Sequence, residues 1–87
     1  MKVAVWDTYV RRNNGEIMHF DILVESHNQN KECVFAFGKE YLNSKSFGMV
    51  SLTSNECKFC HIEHASEELK LAISKKGYSI IEMENCN

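Results

Sequence analysis

The sequence predicts an α+β fold of two layers, with a mixed four-stranded sheet and two helices on one face. Segments rich in β-branched and aromatic residues alternate with segments whose apolar residues recur at helical spacing. Their order along the chain is β-β-α-β-α-β. The 87 residues suffice for one modest core and contain no linker or repeat, so we expect a single domain over residues 1–87.

The first two predicted strands form a hairpin. Residues 2–11 (KVAVWDTYVR) and 16–24 (EIMHFDILV) are rich in Val, Ile and aromatic side chains, which favour strands. Residues 13–15 (NNG) lie between them and are typical of a tight turn, because Asn and Gly tolerate positive φ.

The register of this hairpin depends on the length of its loop. With a two-residue Asn-Gly loop, Val10 lies opposite His19 and Thr8 lies opposite Asp21. A loop one residue longer or shorter instead groups Asp7 with His19 and Asp21. The sequence leaves these alternatives open.

The next predicted element is a helix from Lys31 to about Lys45. Asn28 or Asn30 can serve as its N-cap. Gly38 disfavours the helix by about 1 kcal/mol relative to Ala. The apolar residues that recur at helical spacing are Val34, Phe37, Tyr41 and Leu42.

The last third of the chain reads as strand, helix and strand. We predict a brief turn leading into a strand at 57–64, although a capping-box pattern at 53–56 leaves a helical turn open. Ser66 is a good N-cap and Gly77 a good C-terminal residue for the second helix. Residues 78–84 form the last strand. A strand-helix-strand unit is commonly a right-handed crossover, so we expect 57–64 and 78–84 to be parallel.

The segment at 57–64 concentrates metal-ligand side chains. Cys57, Cys60, His61 and His64 are ligand types that zinc prefers, at close spacing. The sequence shows no second ligand pair, although Cys86, His19 or His27 could contribute one. Buried free cysteines commonly pack as small hydrophobes, so a purely structural role is the simpler interpretation.

Two other interpretations of the Cys-x-x-Cys-His pattern are disfavoured. Covalent attachment of c-type haem uses this pattern but occurs outside the cytoplasm, and the chain opens with no export signal. A thioredoxin-like site shares only the spacing. Such sites have a cis-proline beside the thiols, and this sequence contains no proline.

A second cluster lies on the predicted hairpin. His19 with Asp7 or Asp21 could act as a general base or orient a ligand, which would make the protein a small enzyme. Polar residues on a solvated strand face need no such role. No complete catalytic constellation is evident, so we expect the protein not to be an enzyme.

Composition limits the partners. The formal net charge is −2 and no basic run exceeds two residues, so we expect no binding to nucleic acid. No apolar run approaches the roughly 18 residues of a membrane span, and we expect no membrane association and a cytoplasmic location. Four cysteines in a reducing compartment are free thiols or metal ligands more often than disulfides.

Five stretches of the chain resemble a known family. The resemblance rests on MKVAVWDTYV at the start, MHFDILV at 18–24, FGKEYL at 37–42, ECKFCHIEHA at 56–65 and KGYSIIEMENCN at 76–87. They resemble a small bacterial family that is defined only as a domain of unknown function. The resemblance implies a small cytosolic α+β protein, and it implies no activity, substrate or catalytic residue.

Three function classes follow from these observations. The first is a small cytosolic binding or interaction module, which we expect to form a homodimer through a sheet edge or helix face. It would bind an unidentified protein or small molecule and need no cofactor. The second is a zinc-binding protein that uses the ligands at 57–64. The third is an enzyme built around His19.

Overall fold

The computed structural model describes residues 1–12, 14–28, 30–45 and 57–86. The predicted turn at residue 13 and capping box at 53–56, like the side chain of Cys57, lie outside this description. The element order is β-β-α-β-α-β, which confirms the predicted α+β fold class. The elements are β1 (Lys2–Arg11), β2 (Ile17–Glu25), α1 (Lys31–Asn43), β3 (Cys57–His64), α2 (Glu67–Lys76) and β4 (Ser79–Glu84).

The hairpin of β1 and β2 forms the centre of the sheet. Its strands are antiparallel, with Asp7 opposite Asp21. The Arg12 N–H donates to the Glu16 carbonyl at 2.8 Å, so three residues connect the strands. Gly15 has a φ of +90°, which suits a loop that ends in the left-handed region. The longer of the alternative loops is therefore the one present.

The order of the strands is β3-β1-β2-β4, and every neighbouring pair is antiparallel. The predictions of a mixed sheet and of parallel β3 and β4 are therefore wrong. The crossover rule gives the hand of a connection between parallel strands, and it does not decide whether two strands are parallel. Here β3 and β4 lie on either side of the hairpin and run in opposite directions. Each outer edge of the hairpin gains one partner, and α2 carries the chain from one side of the sheet to the other.

The helices lie on opposite faces of the sheet, so the prediction of two helices on one face is also wrong. The face that packs against α1, here called the α1 face, includes Ala4, Trp6, Phe20 and Ile22. The other, the α2 face, includes Val3, Val5 and Leu23, which pack with Ile73 of α2. Buried residues run consecutively from Val3 to Trp6, and a strand with such a run is covered on both sides.

Both helices begin where their sequences predict, and α2 also ends as predicted, whereas α1 ends at Asn43 and not at about Lys45. The Asn30 side chain accepts from the Glu32 and Cys33 N–H groups at the start of α1. Ser66 accepts from the Leu69 N–H at the start of α2, and Gly77 ends α2 with a φ of +89°. Among the described helices, neither is long and apolar enough to cross a membrane.

Candidate functional site

The α2 face is covered only over part of its length. The residues of α2 and its preceding segment that pack there are Ala65, Leu69 and Ile73, and their partners on β1 are Val3 and Val5. Alternation along β1 places Asp7 and Tyr9 on the same face, beyond these contacts. The sheet surface therefore changes from an apolar half under α2 to an open polar half.

The hairpin register brings three potential ligands together on this open half. Asp7 lies opposite Asp21, and His19 is two residues before Asp21 on the same face of β2. One ligand atom from each of these side chains lies within 4.8 Å of the others. We call Asp7, His19 and Asp21 the triad.

The distances from His19 to the two carboxyl groups are too long for hydrogen bonds. The His19 Nε2 atom is 3.5 Å from Asp21 Oδ1 and 3.8 Å from Asp7 Oδ1. Both His19 Nε2 and Asp21 Oδ1 are buried from solvent and have no hydrogen-bond partner within the described part of the chain. Buried polar atoms are normally paired, so these two require an explanation.

Burial and the neighbouring Asp7 carboxyl disfavour the ionised form of Asp21. Burial, followed by the adjacent Asp7 carboxyl, raises the pKa of Asp21 from its ordinary value to about 6. His19 and His61 oppose this effect by lowering the pKa of Asp21. Near neutral pH, the site therefore holds concentrated negative charge that a cation would stabilise.

The ring of His19 is held in place by an aromatic neighbour. Tyr9 lies opposite His19 in the register, and the two rings stack at 4.2 Å with an interplanar angle of 11°. The backbone carbonyl of His19 accepts a hydrogen bond from the buried Cys86 thiol at 3.3 Å. These contacts fix the direction in which Nε2 points, toward the two carboxyl groups.

A β-bulge in β3 places a cysteine beside the triad. Val5 lies opposite His61 but Trp6 lies opposite Phe59, so Cys60 is the extra residue on β3. Cys60 is exposed and its thiol is free. Desolvation and then the neighbouring Asp7 carboxyl raise the pKa of the Cys60 thiol above its ordinary value. The thiol contacts His61, which lies opposite Val5 on the α2 face, so it is on the triad's side of the sheet.

His61 links Cys60 to a further carboxylate. Its Nδ1 atom is 3.2 Å from Cys60 Sγ, and its Nε2 atom is 2.9 Å from Glu63 Oε2. The arrangement fits a tautomer in which Nε2–H donates to Glu63 and Nδ1 accepts from the thiol. His61 is therefore oriented as an acceptor for the Cys60 proton.

The structure separates members of the predicted zinc quartet. His61 lies opposite Val5 on the α2 face, whereas His64 lies opposite Lys2 on the other face. Among the described residues, Cys60, His61 and His64 do not form a group of ligand atoms within 4.8 Å of one another. The side chain of Cys57 lies outside the description, so the contribution of Cys57 stays a prediction.

The other suggested contributors lie apart from the triad or are engaged. The exposed His27 pairs with Glu25 at 2.7 Å, beyond the covered end of β2. The Cys86 thiol is buried and donates to backbone carbonyls. His19 is the one that joins a ligand group among the described residues.

A cleft of about 480 Å³ lies elsewhere, between α1, α2 and β4. Its charged centre is Glu82, which accepts from the Tyr41 hydroxyl and pairs with Lys45. Hydrogen bonds from Lys45 and then Tyr41 lower the pKa of Glu82. Glu82, Tyr41 and Lys45 are thus paired with one another, in contrast to the groups of the triad.

The fold and site define a class: a small α+β protein whose antiparallel sheet lies between two helices and bears a carboxylate–histidine triad. The chain belongs to the family described as Domain of unknown function (DUF2024), whose model matches residues 1–83. The family resemblance predicted from the sequence is thereby confirmed.

A solved structure shares this fold. The chain is similar to protein NE1680 from Nitrosomonas europaea, whose NMR structure was a target of the Northeast Structural Genomics Consortium. The two are 39% identical, the match covers 100% of each chain, and the TM-score is 0.86. A comparison with curated proteins gives no match.

Proposed function

We propose that this protein binds a divalent metal ion, with zinc the first candidate, through Asp7, His19 and Asp21. The observation that carries the proposal is the convergence of His19 Nε2 and Asp21 Oδ1, both buried and without hydrogen-bond partners among the described residues. An ion between these atoms would give each of them a partner. Imidazole and carboxylate groups are ligands that zinc accepts.

The spacing of the atoms supports this proposal. Ligand atoms bound to one tetrahedral zinc at about 2.0–2.2 Å lie roughly 3.3–3.6 Å apart. The 3.5 Å between His19 Nε2 and Asp21 Oδ1 already lies in this range, and the 3.8 Å to Asp7 Oδ1 needs to shorten by only a few tenths of an ångström. Small rotations of the partly exposed Asp7 side chain suffice for this change.

The triad contains the residues on which the enzyme hypothesis was based, but its geometry does not support that hypothesis. His19 is near both carboxyl groups, but neither distance allows the hydrogen bond by which a carboxylate orients a general base. A bound ion explains the same three side chains with fewer assumptions. We therefore place metal binding ahead of acid-base catalysis.

Thermal unfolding over a panel of metal ions tests the proposal. When the free ion concentration is 100 times the Kd, binding to the folded state stabilises that state by about 2.7 kcal/mol. In a domain of this size, that raises Tm by roughly 10 °C or more. Chelator-treated protein should show this shift with zinc, and Asp21→Asn or His19→Gln should abolish it.

His27→Gln is the matched control, because it removes an exposed histidine whose one ion pair among the described residues is with Glu25. It should leave the zinc-induced shift intact. A wild-type Tm that zinc does not change, or a shift that survives both triad substitutions, would contradict the proposal.

A role in protein interaction is the second candidate. Among the described strands, β3 and β4 form the two edges of the sheet. They carry exposed apolar side chains, of which Phe59 and Met83 are each 53% exposed. Such edges favour pairing with another strand, which supports the predicted homodimer. The cytoplasmic location likewise stays a prediction.

A further inference from the structure

We propose that Cys60 supplies a fourth, sulfur ligand to the ion at the triad, and that the site therefore favours zinc over magnesium or calcium. This inference rests on the proposed metal binding. It adds a fourth ligand, which comes from β3, and a preference among divalent ions. A set of two carboxylates and one imidazole discriminates weakly among divalent ions. One thiolate changes that, because thiolates bind zinc and other thiophilic ions.

The bulge in β3 is the feature that places Cys60 near the triad. In regular pairing, Cys60 would lie opposite Trp6, whose side chain belongs to the α1 face. Because Cys60 is instead the extra residue, Phe59 takes the position opposite Trp6, and their rings meet at 5.8 Å. The thiol is thereby released from the α1 face to the side of Asp7. Bulges commonly redirect side chains in this way.

The proposal requires the Cys60 side chain to turn toward the triad, because its sulfur is not within the 4.8 Å group that the triad forms. The residue is exposed, and its thiol is not held in a disulfide. Cysteine in a strand can adopt either of two common χ1 rotamers, so rotation about one bond changes the position of the sulfur.

The proton released by the thiol has a defined acceptor. When Cys60 Sγ bonds to the ion, its S–H bond breaks and the electron pair stays on sulfur. Before the side chain turns, the sulfur lies 3.2 Å from His61 Nδ1, which can accept the proton. The Nε2 atom of His61 lies 2.9 Å from Glu63 Oε2, so His61 and Glu63 act as positioning residues for the fourth ligand.

Cobalt substitution tests whether sulfur is a ligand. Co²⁺ replaces zinc in many sites, and a cobalt–thiolate bond adds an intense near-ultraviolet charge-transfer band to the weaker visible bands. Wild-type protein should show both kinds of band, and Cys60→Ser should lose the near-ultraviolet band while keeping visible bands. Cys33→Ser is the control, since Cys33 lies on α1 and contacts Asn28, and it should behave as wild type.

Zinc affinity gives a second readout. Loss of outer contacts alone commonly costs roughly 10- to 100-fold in metal affinity, so Cys60→Ser should weaken zinc binding at least tenfold. Magnesium affinity should be unchanged. Visible cobalt bands without a near-ultraviolet band in wild type, or the band's survival in Cys60→Ser, would overturn the role of Cys60 and leave triad binding intact. Absence of every cobalt band would overturn the proposed function itself.

Discussion

Asp7 and Asp21 lie directly opposite each other on neighbouring strands, so two carboxyl groups share one face of the sheet. Like charges in opposed positions destabilise a strand pair. Burial and then the facing Asp7 carboxyl raise the pKa of Asp21 to about 6. Two opposed carboxyl groups in the centre of the sheet lower its stability, which suggests that Asp7 and Asp21 have a role other than stabilising the fold.

The Asp21 pKa predicts a dependence of stability on pH. In metal-free protein, Asp21 binds a proton more tightly in the folded state than in the unfolded state, where its pKa is near 3.8. Its contribution to the free energy of unfolding therefore falls as pH rises from about 4 to about 6, and is flat above that range. Asp21→Asn should remove this decline. Denaturant unfolding of both proteins between pH 4 and 8 measures the difference.

The exposed Glu67 of α2 provides the control for that experiment, because Glu67→Gln removes a carboxylate that, within the described part of the chain, pairs with Lys70 alone at 3.0 Å. Its unfolding profile should run parallel to that of wild type over pH 4–8. Identical profiles for wild type and Asp21→Asn would show that the pKa of Asp21 is not raised in solution.

Gly77 fixes the end of α2 and so the extent of its cover on the sheet. Its φ of +89° is costly for any residue with a Cβ, and an added Cβ would lie 3.3 Å from the Phe37 ring. We expect Gly77→Ala to lower the free energy of unfolding by about 2 kcal/mol, through strain and crowding together. Urea denaturation measures this cost.

Gly15→Ala separates the two contributions. Gly15 has a nearly equal φ of +90°, but an added Cβ meets nothing within 4 Å. We expect a cost of about 1 kcal/mol there, from backbone strain alone. Equal costs at the two positions would show that the Phe37 ring does not crowd the Cβ added at Gly77.

The two sheet edges predict self-association. A homodimer joined through β3 would be disrupted by Ile62→Lys, and one joined through β4 by Met83→Lys, because a lysine on an edge discourages pairing. Light scattering at high micromolar concentration should give a dimer mass for wild type and a monomer mass for one of these variants. A monomer mass for wild type would remove the prediction.

Much of the local structure was predictable because its causes are local. The Asn30 and Ser66 caps, the Gly77 terminus and the strand-rich opening segments each follow from residue chemistry at one place in the chain. The family resemblance was also predictable, because the segments that carry it extend over nearly the whole chain.

The strand order and the helix faces could not be predicted from local signals. Both depend on which edge and which face the hairpin offers to later segments. One signal was available: the consecutive apolar residues from Val3 to Trp6 indicate cover on both faces. The prediction of two helices on one face did not take that run into account.

The triad was predicted only as one of two alternatives. Its residues were identified, but the loop length that aligns Asp7 with Asp21 depends on hydrogen bonding around Arg12 and Glu16. The position of Cys60 had no sequence signal, because a bulge depends on how a strand fits its neighbour. Alternation alone would have placed Cys60 with His64 and apart from His61.

Zinc titration by isothermal calorimetry of chelator-treated, reduced protein tests the triad most directly, with His64→Gln as the control from the opposite face of the sheet. The account predicts one saturable site per chain in wild type and in His64→Gln. It predicts loss of that site in His19→Gln and Asp21→Asn, both of which should remain folded by circular dichroism. No saturable binding in wild type, or binding lost in His64→Gln but kept in both triad variants, would contradict the account.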